Sequence, residues 1–86
     1  MQVPTIHING TSRERLLEAL SDAVEALRKA RDALGQTAPN GRDYYPQGPD
    51  ALRTAEREHW SRMEKLFQVQ QELEQMAIAI CDAEVQ

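Results

Sequence analysis

Leu16, Leu20, Ala23, Leu27, Ala30 and Leu34 recur at alternating spacings of four and three residues, with charged side chains filling most of the positions between them. This is the seam of an amphipathic helix packed along its length against another helix. Leu17 and Val24 widen one edge of it. A second seam runs through Leu52, Ala55, His59, Met63, Leu66, Gln70, Leu73, Ala77 and Ile80, again at steps of three or four. Trp60 and Phe67 lie seven residues apart on its flank and form one aromatic ridge.

Start and stop signals bound these patterns. Thr11 and Glu14 have the spacing of a capping box, which predicts a helix over 12–34. Gly35 suits a left-handed stop, and Arg28, Lys29 and Arg31 favour the negative end of the helix dipole. Pro49 suits a first-turn position, which predicts a second helix over 49–83 and a connector over 35–48. At about 1.5 Å per residue the helices span roughly 34 Å and roughly 50 Å, so a hairpin leaves part of the second without an intrachain partner. The apolar run 76–81 is the expected unpartnered part, because a helix apolar on every side is buried on every side. Residues 1–10 read as an extended arm, with Ile6 and Ile8 alternating with Thr5 and His7 before the Asn9-Gly10 turn. It would lie across the hairpin or reach a neighbouring copy.

The expected fold is therefore all-α: an antiparallel helical hairpin with a long structured connector and a short extended N-terminal arm. A single domain of 86 residues buries a small share of its surface, which points to assembly as a homo-oligomer. Trp60, Phe67, Met76, Ile78 and Ile80 are the expected interface.

Composition narrows the chemistry. Fourteen acidic and ten basic residues are interspersed, for a net charge of −4, so no basic stripe exists to hold a nucleic acid polymer. The one cysteine, Cys81, excludes an internal disulfide framework and reads as a small buried hydrophobe. No segment has the length and apolarity of a membrane span or the pattern of a signal peptide, so the expectation is a cytoplasmic protein without membrane partners. No nucleophile with a base, poised carboxylate pair or multi-ligand metal set is visible, so neither catalysis nor a cofactor is expected. Glu56 and His59 share a spacing used by di-iron helices, but one such pair is too few ligands. His59 reads as a polar seam residue, hydrogen-bonded to Gln70 or to a neighbour. Glu25 with Lys29 and Glu58 with Arg62 have the spacing of stabilising helix pairs.

The connector carries the candidate site. "APNGRDYYPQGP" holds both tyrosines of the chain, and its length exceeds the usual two to eight residues between packed helices. Pro39, Pro46 and the Asn40-Gly41 turn stiffen it. Tyr44 or Tyr45 could stack on a planar ligand, Arg42 could meet phosphate, and Asn40, Asp43 or Gln47 could read polar edges, with Arg53 and Arg57 nearby on the second helix. The start of that helix adds free amides. The competing reading is structural: the tyrosines fold back to plug the open end of the hairpin.

"IHINGTS" ahead of the first helix, "APNGRDYYPQGP" as connector and "EHWSRMEKL" in the second helix together resemble small phage or prophage proteins. More loosely, the chain resembles the short helical-hairpin phage proteins that inhibit bacterial CBASS and Thoeris immunity. That resemblance covers the architecture and assigns no site residue. It implies a homo-oligomeric, non-catalytic sponge in an infected host, sequestering a cyclic dinucleotide or cyclic ADP-ribose isomer. The alternative is a phage structural or adaptor protein working through hairpin assembly and protein contacts.

Overall fold

The computed structural model describes residues 1–84 and is built from two long helices and a folded connector. Helix α1 runs Arg13–Gly35, the short helix α2 runs Gly41–Tyr44 into a 3₁₀ turn at Tyr45–Gln47, and helix α3 runs Ala51–Asp82. Helices α1 and α3 pack side by side, and both connector elements rest on α3. The result is a rod of 62 × 20 × 16 Å.

Both seams turn inward as their spacing predicts except at Ala30, which is exposed, and the helix ends are made differently. Ser12, not Thr11, caps α1, its hydroxyl accepting from the Arg15 amide at 3.2 Å. The box fails because the third helical position is then Arg15 and not Glu14. Gly35 is helical and not left-handed; the chain leaves α1 through αR backbone at Gln36, with the Thr37 amide and hydroxyl both donating to the Leu34 carbonyl. The last turn of α1 carries no basic residue. Pro49 and Asp50 form a turn ahead of α3 instead of its first residues.

Three interhelical contacts set the antiparallel register. The Arg31 guanidinium donates to Gln70 Oε1 at 3.2 Å, and Gln70 Nε2 donates to Glu74 Oε1 at 2.9 Å. Arg28 pairs with the same Glu74 oxygen at 3.6 Å. At the far end, Arg13 at the start of α1 donates to the Ala83 carbonyl, a cation on the negative end of α3. Gln70 thus pairs with Arg31 and Glu74 and not with His59, and Glu25 pairs with Arg28 at 4.0 Å instead of Lys29.

This register moves the unpartnered stretch. The start of α1 is level with the end of α3, so α1, at 23 residues against 32, stops short of the beginning of α3. Extending the Arg31–Gln70 pairing places Gly35 opposite the middle of α3, leaving about 20 Å of helix beyond it. The connector has to climb that distance, which about seven fully extended residues would only just span. Its length is therefore first a consequence of the stagger. The run 76–81 lies beside α1, not past its end.

Little of the chain is fully buried. Ile6 and Ile80 are the apolar residues below the surface, Ile80 at 0% exposure, with the polar seam residues His59 and Gln70. The arm has no strand; the Gly10 amide donates to the His7 carbonyl at 3.1 Å, turning the chain so that Ile6 packs inward. Ile80, expected at an interface, is enclosed within the single chain. Met76 is half-buried, whereas Ile78 and Cys81 face solvent, which corrects the expectation of a buried thiol.

The glycines make a paired prediction. A Cβ on helical Gly35 would meet nothing within 4 Å, so Gly35→Ala should raise stability by about 0.5–1 kcal/mol. Gly48, at φ 106° and ψ 171°, occupies backbone space nearly closed to other residues, so Gly48→Ala should cost about 1–3 kcal/mol. Chemical denaturation of the two variants checks both signs.

Candidate functional site

The connector folds over the start of α3 and borders an open hollow of about 480 Å³. Its connector wall is Thr37, Pro39, Tyr44, Gln47 and Gly48; its α3 wall is Ala51, Thr54, Ala55, Glu58, His59 and Arg62, with Pro49 and Asp50 at the corner. The α3 side follows from helical spacing, since Thr54, Glu58 and Arg62 stand four apart and His59 lies on the adjoining edge. Asn40 positions the connector wall: its side chain accepts from the Arg42 amide at 3.0 Å and its carbonyl from the Asp43 amide at 3.0 Å, starting α2. Gly41 lies close to Leu52, where a Cβ would stand 3.6 Å from Leu52 Cδ2.

Of the expected ligand residues, Tyr44 and Gln47 line this hollow. Tyr44 is half-buried and also borders a second hollow of about 400 Å³ with Tyr45, Pro49 and Leu52. Tyr45 is 78% exposed, so one phenol braces the connector and the other stands in solvent. Arg42, Asp43 and Arg53 are exposed and line neither hollow. Arg57 lies on the outer face of α3 and donates to Thr54 Oγ1 at 3.4 Å. Asn40 is occupied as a helix cap.

His59, Glu58 and Arg62 complete the hollow. His59 was legible as a seam residue, but only the path of the connector makes it a lining residue. It is 3% exposed and makes no hydrogen bond among the described residues. Glu58 and Arg62 do not close the ion pair their spacing suggests. With Asp50, the acidic and basic lining groups other than His59 comprise two carboxylates and one guanidinium. That balance suits hydrogen-bond donors better than a polyanion.

A second surface lies along the α1–α3 flank. Trp60, Phe67 and Ile78, separated by seven and eleven residues, fall within about 20° of one line on α3. Trp60 is 65% and Ile78 62% exposed. The Arg31 guanidinium sits 4.5 Å above the Phe67 ring, bracing the middle of the ridge by a cation–π contact. Beside Ile78 opens a hollow of about 470 Å³ lined by Leu17, Leu20, Val24, Ala77 and Cys81. Another of about 330 Å³ lies between Arg31, Trp60, Met63 and Phe67.

No described helix is long and apolar enough to cross a membrane, and the described residues contain no cluster of three or more potential metal ligands. Comparison of the chain with family models, with curated proteins and with solved structures returns no match.

Proposed function

We propose that this chain is a non-catalytic helical-hairpin protein that works by self-association, as a structural or adaptor component. The observation that carries this reading is the exposed flank of Trp60, Phe67 and Ile78 on a chain whose buried apolar residues, among those described, are Ile6 and Ile80. A ridge and adjoining hollows on one face suit a two-fold pairing, in which the same patch serves both copies. An antiparallel approach sets the Trp60 end of each rod against the apolar hollow of the other. The rim carries both signs, in Glu25, Arg28, Arg31, Glu64 and Glu74.

Trp60 is the single tryptophan and reports on this directly. In an assembly its emission should be blue-shifted and should move red on dilution, as the indole returns to water. Red emission independent of concentration would count against the proposal.

A second reading keeps the connector as a receptor for a nucleotide-derived immune signal, as the resemblance to phage sponge proteins implies. It is favoured by the hollow beside Tyr44 and Gln47 and weakened by the two carboxylates there and by the position of Arg42 outside it. Melting the protein with cyclic dinucleotides and cyclic ADP-ribose isomers separates the readings, since a sponge is stabilised in proportion to the logarithm of ligand concentration.

A further inference from the structure

The charges of α3 are divided between its halves. Its basic residues, Arg53, Arg57, Arg62 and Lys65, all fall within 53–65, beside Glu56, Glu58 and Glu64, for a net charge of +1. Over 66–82 it carries Glu72, Glu74 and Asp82 and no Lys or Arg, for a net charge of −3. The start of α1 lies level with that acidic half and adds Glu14, Glu18, Asp22 and Glu25 against Arg13 and Arg15. The exposed ridge runs from one half into the other, with Trp60 in the first and Ile78 in the second. Two copies joined along it in parallel would set acidic half against acidic half. Joined antiparallel, each acidic half meets the cationic stretch of the other copy, and the repulsion is relieved.

We infer that the occupant of this ridge is a second copy of the chain running antiparallel, in a register fixed by charge, with Arg57 of each copy against Asp82 of the partner subunit. The orientation rests on self-association through this flank. About a two-fold axis, residues on the same edge of each ridge meet. At about 100° per residue, Arg57 and Asp82 fall on one edge of the Trp60–Ile78 line, and Glu56 and Cys81 on the other. With Trp60 set level with Ile78 of the partner subunit, both edges come into step. Arg57 lies three residues before Trp60 and Asp82 four after Ile78; Glu56 lies four before Trp60 and Cys81 three after Ile78. All four side chains are exposed in the single chain, and none is engaged in an ion pair there among the described residues.

The test uses the 86-residue chain carrying Glu56→Cys, an exposed position that leaves Trp60 and Ile78 in place. Air oxidation with copper–phenanthroline should join 56 of one copy to 81 of the other, as mapped by mass spectrometry of the linked peptides. Residues 56 and 81 stand about 37 Å apart along one helix, so that disulfide forms only between copies. The parent chain, with Cys81 alone, should give no linked dimer, because the antiparallel register holds its two thiols about 36 Å apart. Arg57→Glu should raise the dissociation constant about tenfold, and adding Asp82→Arg should restore most of the loss. Linkage of 81 to 81 in an associating protein would overturn the antiparallel register and leave self-association standing, as would association without any 56-to-81 linkage. A variant and a parent that both sediment as single chains at every concentration would overturn the register and the self-association together.

Discussion

Replacing Trp60 and Ile78 together by glutamate should leave a folded, helical chain that no longer self-associates. Both side chains are more than half exposed in the single chain, so their loss removes little intrachain packing. Between copies they are the largest unburied apolar groups on one stripe of α3, with Phe67 between them. Buried aromatic and aliphatic anchors of this kind dominate interfaces, at about 2 kcal/mol or more each, and two carboxylates forced into the contact would add desolvation cost. The dissociation constant should rise at least about a hundredfold. Sedimentation velocity reads that change, and circular dichroism checks that the helices persist. A double variant that assembles like the parent would place the contact elsewhere.

Ile80→Ala should produce the opposite phenotype: a large loss of stability without a specific loss of association. Ile80 is fully enclosed within one chain. Truncating such a residue costs the transfer free energy of the missing methyls plus the cavity they leave, about 2–5 kcal/mol. For a chain this small that is a large share of the total. The urea midpoint should fall while the slope stays constant. Ile78→Ala, two residues away but open to solvent, should change the stability of the dissociated chain by less than about 0.5 kcal/mol. Equal effects at the two positions would mean that Ile80 is not enclosed within the single chain.

The contrast between Ile78 and Ile80 shows where reading the sequence succeeds and where it stops. Apolar spacing located α1 and α3 to within two residues, and placed His59 and Gln70 in the seam, because helical periodicity is a local property. The relative stagger of the helices is not local. It is set by Arg13 on the end of α3 and by the pairs Arg31–Gln70 and Arg28–Glu74, whose partners lie 39 or more residues apart. Without that stagger, 76–81 looked like the overhang, Ile80 like interface and Cys81 like core.

The candidate site divides along the same line. A folded connector was legible from Pro39, Asn40 and Pro46, and Tyr44 and Gln47 do line its hollow. The rest of that list was chosen by chemical type: Arg42, with Arg53 and Arg57 nearby, to meet phosphate, Tyr45 to stack, and Asn40 and Asp43 to read polar edges. A four-residue helix turns Arg42 and Asp43 outward, and no composition argument foresees that rotation. Glu58, His59 and Arg62 were hidden because their lining role exists only once the connector has crossed α3. Their signal was available in weaker form, as polar residues at helical spacing on a stretch with no facing α1.

Sedimentation equilibrium of the unaltered 86-residue chain tests the central claim most directly. Self-association through the Trp60 flank predicts a mass that is a multiple of 9.8 kDa and that falls toward 9.8 kDa only on dilution. A mass of 9.8 kDa at every concentration would contradict it.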